Sequence, residues 1–197
     1  MDKQIIISIS REYGCGGHYI AKKISEELGI LLLDNNILDH ISDDKGMSLE
    51  KFKEYDESPK KPFVSRTVRG MSNSFEDNIA QLQFDYIKEK AESGASMIVV
   101  GHCADYILRE YKQLINIFIS ADMNDKVNRI MEVRKMSKYE ARKAIARHDY
   151  KRKTYHNNYA DTKWGASRNY DLCINSSKLG LDKTAEFIMD YIKKMVE

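Results

Sequence analysis

Between Arg11 and His18 the chain reads Arg-Glu-Tyr-Gly-Cys-Gly-Gly-His, after an apolar run from Ile5 to Ser10 and before an amphipathic stretch through Ile20, Ala21, Ile24 and Leu28. Glycines let backbone N–H groups crowd an anion without Cβ interference, and a helix starting just after them aims its unpaired N–H groups and positive end at the same spot. The backbone of Gly14, Cys15, Gly16, Gly17 and His18 is therefore a candidate phosphate cradle; the plainer reading is a glycine turn joining strand to helix. A common phosphate loop ends Gly-Lys-Ser/Thr, whereas Gly17 and His18 follow Gly16 here. The lysine's point charge and the hydroxyl that binds Mg²⁺ are thus missing. His18 stands in the hydroxyl's place, where a neutral imidazole is a poor Mg²⁺ ligand but can donate a hydrogen bond to phosphate. Cys15 reads as a small space-filling residue rather than a reactive thiol.

Other chemistry-bearing residues are scattered. Arg142, Lys143, Arg147, His148, Lys151, Arg152 and Lys153 make one strongly basic stretch, with Tyr150, Tyr155, Tyr159 and Trp164 nearby as surfaces on which bases can stack. Large aromatics also dominate packing, so Trp164 and Tyr170 read first as core or anchor residues. Arg66 and Arg69 are spaced i, i+3 and offer one basic face, either toward an acceptor or toward solvent. Asp34 and Asp105 follow apolar runs; each is an outer partner of nucleotide-borne Mg²⁺ or an exposed helix cap. Lys22 lies one helical turn beyond His18, within reach of a phosphate or on a solvated face.

The whole-chain balance narrows the field. The 197 residues carry a formal net charge of +2, so no global field marks a nucleic-acid or membrane binder. Three cysteines, Cys15, Cys103 and Cys173, are too far apart for a disulfide framework or a zinc-ligand spacing, which fits a reducing cytoplasm. The N-terminal apolar run is only a strand long, and no segment approaches the ~20 apolar residues of a membrane span.

The elements that must position these residues alternate between strand and helix periods, which argues for a buried parallel sheet. Strands are expected at the opening run, at Ile30 to Leu33, Met97 to Val100, Leu114 to Ile119 and Tyr170 to Asn175. Helices are expected after Gly17, from Ile37, from Phe75 to near Gly94, over Ala104 to Tyr111, from Asn124 to Lys135, over Ser137 to Lys153 and at the C-terminus. Ser137 and Glu140 form a capping-box pattern. From Ser42 to Ser74 the pattern loosens around Pro59 and Pro62 into an inserted, mobile segment, and Tyr155 to Asn169 reads as a polar, aromatic loop.

Three separated motifs fall in a telling order: Ile9 to Gly17, the strand end Val100-Gly101-His102-Cys103-Ala104-Asp105-Tyr106, and Lys163-Trp164-Gly165 followed by Asn169 to Ser176. Together they resemble the cytidylate kinase-like family, a divergent branch of the phosphate-loop kinases, over nearly the whole chain. The resemblance implies an α/β, three-layer P-loop NTPase-like fold with a five-stranded parallel sheet. It implies one domain over 1–197, with an acceptor-binding helical insertion at 37–80 and a basic lid at 147–169. It implies a kinase that moves the γ-phosphoryl group of ATP, with Mg²⁺ carried by the nucleotide, to a CMP-like nucleoside monophosphate.

Within the resemblance Arg11 stands where the first glycine of the loop is usual, and it or Lys22 can replace the absent lysine. Asp149 and Arg152 match a lid's D-x-x-R element, so Arg152, then Arg147, then Arg11 are the catalytic candidates. Asp34, Arg66, Arg69, His102 and Asp105 fall on the acceptor side, His102 at a strand end where an arginine usually meets the acceptor phosphate. A nucleotide-binding protein without turnover is the alternative; an RNA-associated protein using the basic stretch is disfavoured by the charge balance. A homodimer stays open, with no motif marking it.

Overall fold

The computed structural model describes residues 4–46, 67–68, 71–72 and 75–196. Its strands are β1 (Ile6–Arg11), β2 (Leu31–Leu33), β3 (Thr67–Val68), β4 (Met71–Ser72), β5 (Met97–Val100), β6 (Leu114–Ser120) and β7 (Leu172–Asn175). Its helices are α1 (Gly17–Leu28), α2 (Ile37–Lys45), α3 (Phe75–Glu92), α4 (Ala104–Ile107), α5 (Met123–Arg134), α6 (Lys138–Tyr159), α7 (Ser176–Leu179) and α8 (Leu181–Val196). Five strands form one sheet in the order β2-β5-β1-β6-β7, every pair parallel. β3 and β4 pair with each other, antiparallel.

Every residue of β1 is buried, as expected of a central strand covered on both faces. Its alternation sorts the two faces. Ile7 and Ile9 join Ile98 and Val100 of β5 under Ile20 and Ile24 of α1 and Ile188 and Ile192 of α8. Ile6 joins Met97 and Val99 under Ile37 and Ile41 of α2 and Tyr86 and Ile87 of α3. The fold is therefore three layers, helix on sheet on helix, as the residue periods imply. Because the strands run parallel, their carboxyl ends gather at one edge, where such sheets bind ligands. Arg11, Asp34 and Gly101 lie at that edge.

Two boundaries differ from the sequence reading by more than two residues. Helix α6 runs on to Tyr159 rather than stopping near Lys153. Tyr155 and His156 are buried, Tyr159 donates to Asp77 at 2.7 Å, and this packing carries the helix past the point where polarity suggested a loop. Helix α4 ends at Ile107 instead of Tyr111. The capping box at the start of α6 is present, Ser137 accepting from the Glu140 N–H and Glu140 from that of Ser137. Most of the expected insertion, Arg66 and Arg69 included, lies outside the described residues.

Candidate nucleotide site

The loop between β1 and α1 is built around glycine geometry. Gly14 and Gly16 both adopt φ +85°, a left-handed conformation that other residues avoid. A Cβ on Gly16 would stand 2.4 Å from Leu181 Cδ2 and one on Gly14 3.2 Å from the Lys126 carbonyl, so both are also close-approach positions. Gly16 gives α1 no side-chain cap, and the first turn carries no acid. The helix thus opens with backbone N–H groups that lack intrahelical partners, an arrangement suited to an anion.

Ion pairs hold the loop in place. Lys126 of α5, buried, reaches Glu12 at 2.9 Å and Asp149 of α6 at 3.2 Å. Burial pulls the Lys126 ammonium's pKa down, but its hydrogen bond to Glu12 and the charges of Asp149 and Glu12 outweigh it, leaving it above the ordinary lysine value. Asp149 also accepts from the Tyr13 N–H at 2.6 Å, and Arg129 donates to the Gly14 carbonyl. The Tyr13 ring stacks on His148 with centroids 4.1 Å apart, and the Arg152 guanidinium lies 5.7 Å from the centre of its ring. Burial, and then the charges of Arg147 and Arg152, lower the pKa of His148, so it meets Tyr13 as a neutral ring at pH 7. Burial raises the Cys15 thiol, in keeping with a space-filling residue.

These parts enclose a cavity of about 720 Å³. Its cationic lining is Arg11 from β1, Arg129 and Arg134 from α5, and Lys151 and Arg152 from α6, with His18 and His148 beside them. Glu12 and Asp34 are its acids, and Glu12 is already paired with Lys126. Five permanent cations share this lining with two carboxylates, Glu12 held by Lys126 and Asp34 held by His18 and Arg11.

The chain as a whole is matched by known proteins. The model of the cytidylate kinase-like family fits residues 6–178. The chain belongs to that family. A crystal structure of an uncharacterized protein from Eubacterium ventriosum ATCC 27560 is 34% identical, with TM-score 0.77 over 96% of this chain and 99% of that one. A shikimate kinase from Bacteroides thetaiotaomicron is 13% identical, with TM-score 0.56 over 96% of this chain and 98% of that one. A gluconokinase from Sinorhizobium meliloti 1021 is 11% identical, with TM-score 0.58 over 100% and 95%. The last two share the fold. No curated protein matches the sequence.

For this member of the cytidylate kinase-like family the expected site residues separate into three groups. Gly14, Gly16, Gly17, His18, Arg11, Asp34 and Arg152 all line the cavity, and Cys15 lies buried beneath it. Lys22 is exposed, 3.7 Å from Glu26, and Arg147 is exposed; neither is among the lining residues. His102, 1% exposed with φ +52°, and Asp105, 6% exposed, sit deeper, behind the end of β5. Asp105 meets His156 of α6 at 2.8 Å, tying α4 to the long helix. The exposed-cap alternative for Asp34 and Asp105 is corrected by their burial: each has a basic or imidazole partner that draws it inward. Trp164 and Tyr170 pack on Phe118, the anchoring role their size suggested. Tyr150 is 72% exposed.

Arg129, Arg134 and Lys126 were not singled out from sequence. Their signal was a stripe on α5: Lys126, Arg129, Ile130, Val133 and Arg134 recur at the spacing of one helical face. Residue 17 shows why this loop carries glycine where a lysine is common. A Cβ there would lie 2.9 Å from Arg11 Cβ and 3.1 Å from its Cγ. Side chains at 11 and 17 exclude each other. Gly17→Lys is accordingly expected to cost about 1–3 kcal/mol in urea unfolding. Combining it with Arg11→Gly should lose less than the sum of the two single substitutions; strict additivity in that cycle would contradict the exclusion.

Proposed function

We propose that this chain is an ATP-dependent phosphotransferase that moves the γ-phosphoryl group to a small acceptor. A CMP-like nucleoside monophosphate is the acceptor the family's description points to. The observation that carries the reading is the convergence, in one cavity, of the glycine loop, the uncapped start of α1 and five arginine and lysine side chains. Phosphoryl transfer asks a protein for positioning and charge neutralisation, and these groups supply both. The loop N–H groups hold the donor phosphates, Arg11 takes the role of the absent lysine, and Arg152 lies over the transferring group with Arg129, Arg134 and Lys151 around it.

Mg²⁺ would add charge neutralisation across the β- and γ-phosphates. Among the described residues no group of three or more His, Cys, Asp or Glu side chains can cage it. That donor set suits an ion carried by the nucleotide with most of its waters. In this reading residues 37–80 receive the acceptor and 147–169 act as the lid, its first part being the C-terminal half of helix α6.

A second class of acceptor, bearing a hydroxyl, is favoured by one feature: His102 is too deeply buried to meet an acceptor phosphate in the large cavity. The test is transfer from γ-labelled ATP with Mg²⁺ to a panel of nucleoside monophosphates, deoxynucleotides and small alcohols. Label in one acceptor is the expected result. ATP binding with no transfer to any, water included, would make the protein a nucleotide binder without turnover.

A further inference from the structure

Resting on the phosphotransferase reading, we propose that His18 is the general base of the reaction, oriented by Asp34, and that the acceptor therefore presents a hydroxyl group. Asp34 lies just past the end of β2 and is 4% exposed. One of its oxygens lies 2.5 Å from His18 Nδ1 and the other 3.4 Å from the Arg11 guanidinium. A carboxylate facing Nδ1 fixes the proton there and leaves Nε2 as the acceptor, the orientation a general base requires. The His18 side chain is 64% exposed on the cavity wall, and its Nε2 makes no hydrogen bond among the described residues. The ring is thus held at one end and open at the other, beside the loop that receives the phosphates.

The two acceptor classes differ in what they need. A phosphate monoester has a second pKa of about 6 and already presents an anionic oxygen at pH 7. An alcohol, about as weak an acid as water, has to lose its proton as its oxygen bonds to phosphorus. An oriented imidazole serves the second case and is superfluous in the first. In the step, the acceptor oxygen bonds to the γ-phosphorus as its proton passes to His18 Nε2. The bond from that phosphorus to the bridging oxygen breaks, ADP leaves with the electron pair, and the imidazolium beside Asp34 returns its proton to solvent. Asp34 is a positioning residue in this scheme; its second oxygen is occupied by Arg11.

Water is the smallest hydroxyl acceptor, so slow hydrolysis of Mg²⁺-ATP tests the proposal without knowledge of the physiological one. His18→Asn keeps an amide N–H where Nδ1 lies and removes the base. Its kcat for hydrolysis, and for any alcohol the wild type phosphorylates, is expected to fall about 10²-fold or more. The Kd for ATP, from calorimetry, should change by less than about threefold. In His18→Ala, added imidazole should restore the rate about tenfold, a rescue that a merely structural side chain would not show. His18→Asn hydrolysing within about threefold of wild type, or losing ATP affinity with kcat intact, would make His18 a phosphate ligand and overturn the proposal. Transfer to CMP at an unaltered rate in that variant would do the same. A wild-type protein that binds ATP and consumes none overturns the phosphotransferase reading beneath it, so the wild-type rate tells the two failures apart.

Discussion

Arg152→Ala is expected to lower phosphoryl transfer about 10³-fold while leaving the fold intact. Arg152 lines the cavity, donates to the Arg11 carbonyl at 3.2 Å and stands over the Tyr13 ring. Its guanidinium is therefore aimed between the glycine loop and α6, where charge on the transferring group has to be met. Removing a partly buried side chain on the wall of a cavity leaves no void in the core, so the melting temperature should move by only a few degrees. Arg152→Lys should recover little of the rate, because an ammonium lacks the planar fork. Arg147→Ala, on the exposed side of the same helix, is the matched control and should stay within about threefold of wild type. Equal losses at 147 and 152 would mean that α6 acts by its overall charge and not through one directed arginine.

The largest effect on stability is expected at Lys126. Its ammonium is the bridge between Glu12 of the loop and Asp149 of α6. Lys126→Met fills the same volume but leaves two carboxylates facing each other with no cation between them. Breaking a fully buried charge cluster costs about 3–5 kcal/mol. The side chains of Glu12 and Asp149 keep 27% and 21% of their exposure, which brings the expectation here to about 2–3 kcal/mol. Urea unfolding measures it directly, and a loss below about 0.5 kcal/mol would mean the triad is not holding the loop. The sign with pH follows from the raised pKa of Lys126. Its contribution is fully present below the ordinary lysine pKa of about 10.4 and is lost as pH rises through the higher folded value. The gap between wild type and Lys126→Met should thus stay constant from pH 7 to 10 and close only in stronger base.

Much of this architecture was legible in the residues because local signals agree. In β1 and β5, short, nearly continuous apolar runs mark strands buried on both faces, and Gly29 and Gly94 end helices that the 3.6-residue period had begun. The loop itself was visible in Gly14, Gly16 and Gly17, since left-handed backbone and close packing both demand glycine. The cations of α5 were harder to see. Arg129 and Arg134 look like any surface arginines until α5 is laid beside the loop, and only the tertiary contact of Lys126 with Glu12 and Asp149 turns that helix inward. The end of α6 was missed for a related reason: Tyr155, His156 and Tyr159 read as a polar, aromatic loop, but their partners Asp105 and Asp77 come from α4 and α3. Asp34 likewise carries no local mark of burial, which comes from Arg11 and His18.

The central claim is that a loop without lysine, ringed by arginines, holds a chain of phosphates. Calorimetric titration of the wild-type protein with ATP, ADP and AMP in the presence of Mg²⁺ tests it most directly. The account predicts one site per chain, with ATP and ADP bound at least about tenfold more tightly than AMP and the preference weakening as salt is raised. Equal affinity for all three nucleotides, or no heat with any, would contradict it.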